Sequence, residues 1–220
     1  DIGGESTRPG AEKVSLDEEL SRVIPVIEKL VQEIDVPISV DTYKAKVADE
    51  ALKAGAAIIN DVWGAKADPD MARVAAAHNV PIILMHNREE RNYKDLIPDM
   101  LSDLMECVSI AKSAGVQDHH IVLDPGIGFA KTYHDNLAVM NQLEKFSELG
   151  YPVLLGTSRK KFIGRVLDLP PEERAEGTGA TVCLGIQKGC DIVRVHDVKQ
   201  ISRMAKMMDA MIDKGGVYHR

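Results

Sequence analysis

A carboxylate, an amide and a pair of cations stand at the ends of short apolar runs, and each type suits a different part of a ligand. Asp124 closes Ile121-Val122-Leu123 and opens Pro125-Gly126-Ile127-Gly128-Phe129. A carboxylate at a strand end is an acceptor pair fitted to a flat donor pair, such as an amidine edge. Gly126 and Gly128 keep the approach open, and Phe129 offers an aromatic wall. A plain Asp-Pro-Gly turn is the competing reading. It is the weaker one, because Asp41 and Asn60 end other runs in the same way. Two carboxylates and one amide can together read one heteroaromatic edge. Arg194 and His196 end the last run. Alternate strand residues share a face, so these two point one way and Val193 and Val195 the other. Two cations on one face read as an anion site.

The chain opens on Asp1-Ile2-Gly3-Gly4-Glu5-Ser6-Thr7-Arg8-Pro9-Gly10. Paired glycines allow close backbone approach to a ligand, hydroxyls at Ser6 and Thr7 accept from free N–H groups, and Arg8 is a planar donor fork for phosphate or carboxylate. The decapeptide reads either as an anion-binding loop or as an ordinary Gly-rich connection. The cations at Arg194 and His196, plausible partners on one ligand, favour the anion loop.

These residues need elements to hold them. Runs rich in β-branched residues and Leu occur at 37–41, 57–61, 81–86, 121–124, 152–156 and 191–196. They read as parallel strands covered on both faces. Amphipathic helical patterns lie between them. Ser15 and Glu18 have capping-box spacing, Asp68-Pro69 reads as a helix start, and Gly55, Gly115, Gly150 and Gly189 fall where helices stop. The alternation runs unbroken, so residues 1–220 are expected to form a single domain. Six strands plus the strand end at Asp1-Ile2 make seven, one short of a (β/α)8 TIM barrel, a fold of typically ~250 residues. A doubly wound sheet would gather ligand groups at one switch point. Polar residues end nearly every strand here, which favours the barrel.

Of the 220 residues, 28% are charged and 45% hydrophobic, and the net charge is -7. The acidic balance argues against a nucleic-acid partner, so any anion site must be local. Three scattered cysteines, Cys107, Cys183 and Cys190, suit a reducing, cytoplasmic setting. No apolar run reaches the ~18 residues of a membrane helix.

The ordered set of strand ends resembles the dihydropteroate synthases. The opening decapeptide is similar to that family's second signature. Val40-Asp41-Thr42, Ile59-Asn60-Asp61, Leu123 to Phe129, Thr157-Ser158-Arg159-Lys160-Lys161-Phe162-Ile163-Gly164 and Arg194-Val195-His196-Asp197 follow in family order. The resemblance implies a barrel transferase that joins 6-hydroxymethyl-7,8-dihydropterin pyrophosphate to para-aminobenzoate in folate biosynthesis. It implies that Asp124 pairs with the pterin amino and ring donors, that Asn60 reads the neighbouring edge, and that Asp41 lies near the far ring. Met85 and Phe129 would line the pocket. Lys160 would face both substrates. Arg8, Arg194 and His196 would hold the pyrophosphate, and Thr7, Pro9 and Ser158 would border the para-aminobenzoate site with Phe129 and Lys160, where sulfonamides also bind. Asp41, Lys160 and Arg194 are the residues expected to carry the chemistry. Mg²⁺ and a homodimer are implied too. Met204, Met207, Met208 and Met211 are expected mainly to pack a core, and the charged loop 87–93 to be exposed.

The family's first signature, on the first strand and its loop, has no counterpart in this sequence. It carries the metal-linked Asn, so no metal ligand is assigned within the chain. A barrel without that strand would expose unpaired edges, and a longer natural protein is expected. Two rival readings remain at this point. A corrinoid-linked methyltransferase shares the pterin contacts but has no use for Arg8, the Ser-Arg-Lys run and Arg194. A binding-only pterin module would lack the catalytic first loop.

Overall fold

The computed structural model describes residues 1–6 and 11–212. Strands and helices alternate: β1 (Ile2–Gly3), α1 (Leu16–Glu33), β2 (Ser39–Asp41), α2 (Ala45–Lys53), β3 (Ile58–Asp61), α3 (Met71–His78), β4 (Ile82–Met85), α4 (Leu96–Ser113), β5 (Ile121–Asp124), α5 (Tyr133–Asn141), α6 (Glu144–Ser147), β6 (Leu154–Leu155), α7 (Lys161–Leu167), α8 (Ala175–Gln187), β7 (Ile192–Val193) and α9 (Val198–Ile212). Contacts divide them into two compact units. One is Asp1–Arg88 with Ser102–Leu123, the other Glu89–Leu101 with Asp124–Arg220.

The first unit is built on sequential strands, within the order β1-β2-β3-β4-β5. The pairings along β1 to β4 are parallel, with Ile2 beside Val40, Val40 beside Ile59 and Ile59 beside Ile82. Parallel sheets need cover on both faces, and the run Ile82 to Met85 is accordingly buried throughout. Val23 and Ile27 of α1, Val47, Ala48 and Ala51 of α2, and Met71 and Ala75 of α3 supply apolar cover.

Only half of the expected capping box at α1 forms. Ser15 Oγ accepts from Glu18 N–H at 3.3 Å, but the Glu18 carboxylate turns along the helix to Arg22 at 2.8 Å. Asp68 serves two helices. The expected helix does follow it, with Asp68 Oδ1 accepting Asp70 N–H at 3.0 Å, and its Oδ2 also accepts Ala45 N–H at 2.8 Å at the first turn of α2. The four C-terminal glycines hold as read: Gly55, Gly115, Gly150 and Gly189 have φ of 111°, 101°, 83° and 96°.

The second unit contains the parallel pair β6–β7, with Leu154 beside Ile192 and Leu155 beside Val193. Helix α9 packs on α8 through Val182, Ile186 and Ile201, joined by Val193, Val195, Met204 and Met208. A Cβ at Gly179 would fall 2.4 Å from Met204 Cε, so glycine lets α9 come close. The methionine stripe therefore splits. Met204 and Met208 pack as expected, whereas Met207 and Met211 are each 59% exposed. The complete capping box is on α5, where Thr132 and Asp135 satisfy each other's backbone N–H groups.

Candidate active site

In the first unit, register brings two of the expected ligand groups side by side. Gly3 is the partner of Asp41, and Asp41 the partner of Asn60, at the C-terminal ends of β1, β2 and β3. A Cβ at Gly3 would lie 3.3 Å from that of Asp41, so the opening glycine makes room for the carboxylate. Asp41, Asn60 and Met85 are buried. Asn60 Nδ2 donates to Asp1 Oδ2 at 3.3 Å.

The chain after β3 is tied by a residue that sequence reasoning placed in a motif without a role. Asp61 is fully buried and accepts from Trp63 N–H at 2.8 Å and Ala65 N–H at 2.7 Å. Burial pushes its carboxyl up to about 6, against the pull of those two bonds. Beyond β4, the loop expected to be exposed begins buried. His86 and Asn87 are buried, His86 Nε2 meets Asp103 Oδ2 at 3.0 Å, and Arg88 grips the same carboxylate with Nε at 2.5 Å and Nη2 at 3.1 Å. The exposed part is 89–92.

In the second unit, Asp124 is buried at the end of β5. Its Oδ1 accepts Gly126 N–H at 2.7 Å. The loop that follows turns with φ of 66° at Gly126, 88° at Gly128 and 46° at Ala130, and side chains hold nearly every peptide of it. Asn136 Oδ1 accepts Gly128 N–H at 2.6 Å. Lys160 Nζ donates to Ile127 O. Tyr93 Oη donates to Ala130 O at 3.0 Å. Lys131 Nζ donates to Gly126 O at 3.0 Å and Phe129 O at 2.9 Å.

Lys160 and Phe129 lie together, with the ammonium 5.0 Å from the ring centroid. A Cβ at Gly156 would lie 3.9 Å from Lys160 Nζ and 4.0 Å from Asp124 Oδ2, so glycine keeps the space beside both groups clear. Burial pushes the Lys160 ammonium down to about 8; Asp124 opposes this shift and Arg194 adds to it. Burial likewise raises the Asp124 carboxyl, against the opposing charges of Lys160, Lys131 and Arg194 and the Gly126 N–H.

Arg194 and His196 do alternate with Val193 and Val195. The two cations are exposed and the two valines half-buried. Ser158 is buried and accepts His196 N–H at 3.0 Å, which leaves its hydroxyl proton for His196 Nδ1 at 2.8 Å. The turn between Ser158 and Lys160 is braced by residues the sequence reading passed over. Arg159, at φ 56°, forms a bidentate pair with Asp197 at 3.0 and 2.6 Å. Arg174 Nη1 donates to Arg159 O at 2.9 Å, and Thr178 Oγ1 accepts Arg159 N–H at 3.1 Å. Thr7, Arg8 and Pro9 lie outside the described residues.

Among the described residues, no three His, Cys, Asp or Glu side chains converge to hold a metal ion.

The family model for pterin-binding enzymes matches residues 1–196. The chain belongs to this family. It is 82% identical to a dihydropteroate synthase of Bacillus subtilis over 219 residues, spanning 100% of this chain and 77% of that relative. A crystal structure of a dihydropteroate synthase from Clostridium difficile, in the presence of pteroic acid, superposes with a TM-score of 0.95 at 52% identity, covering 96% of this chain and 81% of that one. The Yersinia pestis synthase in a sulfonamide drug complex gives 0.92 at 37% identity, covering 96% and 78%. Within the pterin-binding enzymes, then, the chain sorts with the dihydropteroate synthases, transferases of folate biosynthesis, and not with the corrinoid-linked alternative. The fold class is α/β, the (β/α)8 barrel class of these relatives.

Proposed function

We propose that this chain condenses 6-hydroxymethyl-7,8-dihydropterin pyrophosphate with para-aminobenzoate, giving 7,8-dihydropteroate and pyrophosphate. The observation that carries the residue-level reading is the buried Asp124 carboxylate, with Lys160 beside the same cleared space at Gly156. A buried carboxylate needs donors, and a pterin presents a flat pair of them. Asp124 takes the pterin amino and ring N–H groups. By the family resemblance, Asn60 would read the adjoining edge, Asp41 would stabilise positive charge on the ring, and Met85 and Phe129 would contact the pterin.

The reaction breaks the methylene C–O bond, and the electron pair leaves with the pyrophosphate. The arylamine nitrogen then forms the new C–N bond and releases one proton to solvent. Negative charge grows on the leaving oxygen, where Arg8, Arg194 and His196 stabilise it. A cation-forming route needs no side-chain nucleophile. Lys160 faces the pterin and the second substrate; Ser158, with Thr7 and Pro9, borders the arylamine, where sulfonamides compete. Mg²⁺, implied by the family resemblance, would supply counter-charge to the pyrophosphate in this reading.

A cytoplasmic homodimer completes the proposal. It is supported by exposed Val198, Met207 and Met211 on α9 and by the free thiols of Cys107 and Cys183, which suit a reducing setting. Sedimentation should give a mass near twice 24.1 kDa. The activity test is direct. Incubated with both substrates and Mg²⁺, the protein should release pyrophosphate and dihydropteroate in equal amounts. Pyrophosphate without dihydropteroate, or neither product, contradicts the assignment.

A further inference from the structure

We propose that Lys131 is a positioning residue of the pterin site: its buried ammonium gathers the loop after β5 and supplies a fixed positive charge that lets Asp124 meet its ligand as a carboxylate. This rests on the reading of Asp124 as the pterin contact.

Lys131 is 5% exposed, and a lysine is almost never buried so deeply without partners. Its Nζ donates to the carbonyls of Gly126 and Phe129. Those two residues bracket the turn that must deliver Phe129 to the pocket. Gly126 is the link to the carboxylate. Its N–H goes to Asp124 Oδ1 at 2.7 Å and its carbonyl to Lys131 at 3.0 Å, so one peptide-bonded residue joins the acid to the cation.

The charged groups acting on Asp124 are Lys160 after β6, Arg194 after β7, and Lys131. The first two are the groups that substrates engage. Arg194 is exposed and Lys160 half-buried. Lys131 is the least exposed of the three and is engaged by protein carbonyls, so its field stays the same whether the site is empty or filled. Low-dielectric surroundings make such a charge more effective than a solvated one.

Two variants separate the hydrogen bonds from the charge. Lys131→Met removes both; Lys131→Gln keeps a neutral donor. Pteroic acid binding is followed by calorimetry from pH 5 to pH 8, together with KM for the pterin pyrophosphate, kcat and thermal unfolding. For Lys131→Met, affinity should fall about tenfold or more, with KM rising in step and kcat changing less than about threefold. The acid limb of binding should move to higher pH, because Asp124 then protonates more readily. Lys131→Gln should keep more of the neutral-pH affinity but show the same shift of the limb, and it carries the test if the Met variant does not fold. Unchanged affinity and an unchanged acid limb in the folded variants, or a loss confined to thermal stability, overturn the proposal. Asp124→Asn is measured alongside. If it too binds like the parent, the reading of Asp124 is what failed; if it alone loses binding, only the inference about Lys131 falls.

Discussion

Asp41 and Asn60 stand beside each other because β2 and β3 pair in register. Asp124 ends a strand whose following loop has no such ladder, and single side chains hold that loop: Asn136, Lys131, Lys160 and Tyr93. A ladder shares its load over many backbone bonds, so losing one side chain leaves the row in place. A loop tied one contact at a time transmits each loss to the group it positions. The first unit should therefore lose stability before it loses ligand, and the second unit ligand before stability.

The largest expected effect probes the first half of that contrast. Asp61→Ala orphans the N–H groups of Trp63 and Ala65 and should cost about 2 to 4 kcal/mol of unfolding free energy. Pteroic acid affinity in the folded variant should stay within a few-fold of the parent; a large loss would mean that register alone does not hold Asp41 and Asn60. The pH dependence has a definite sign. The folded carboxyl titrates near 6 instead of 3.8, so the folded state binds the proton more tightly. The stability this gives is complete below about pH 4 and is lost as pH rises through 6. Denaturant midpoints of parent and variant across that window should show the gap narrowing.

Asn136→Ala breaks the second half. Gly128 N–H loses its acceptor, at a cost of about 1 to 2 kcal/mol, and here KM for the pterin substrate should rise several-fold. An unchanged KM would show the loop to be more rigid than its contacts suggest. A smaller effect comes from pH. Lys160 titrates near 8 in the fold against 10.5 ordinarily, so its ammonium is lost as pH rises through 8, and kcat/KM should decline there. Lys160→Met should abolish that limb. Because this pKa is lowered, the unfolded chain binds more protons between 8 and 10.5, and this group's effect on stability becomes more favourable with pH in that range. Thr132→Ala is the control. It removes the α5 cap for about 1 kcal/mol, and KM should not move.

Much of this arrangement was legible in the residues. Strand ends could be read because hydrophobic runs stop at a polar residue, and Arg194 and His196 could be paired because strands alternate. What stayed hidden was whatever depends on a partner far along the chain. Lys131 reads as a surface lysine until the carbonyls of Gly126 and Phe129 are seen turned toward it. Arg88 belongs to a charged run, and only the approach of Asp103 on α4 draws it in. Glu18 has the right spacing for a capping box, yet Arg22 one turn on competes for its carboxylate. Asp68 reads as a helix start because Pro69 follows it, but nothing local shows that its second oxygen also reaches Ala45. The methionines of α9 share one composition and two fates, set by where α8 lies.

The central claim is that a buried, ionised Asp124 reads the pterin. The most direct measurement is calorimetric binding of the pterin pyrophosphate, without para-aminobenzoate, to the parent and to Asp124→Asn at pH 7.5. Asparagine keeps the size and the Gly126 contact but replaces one acceptor with a donor. A loss of affinity of about a hundredfold or more, with the fold intact by circular dichroism, is the result expected. Binding within threefold of the parent would contradict the assignment of Asp124 and, with it, the placement of the pterin.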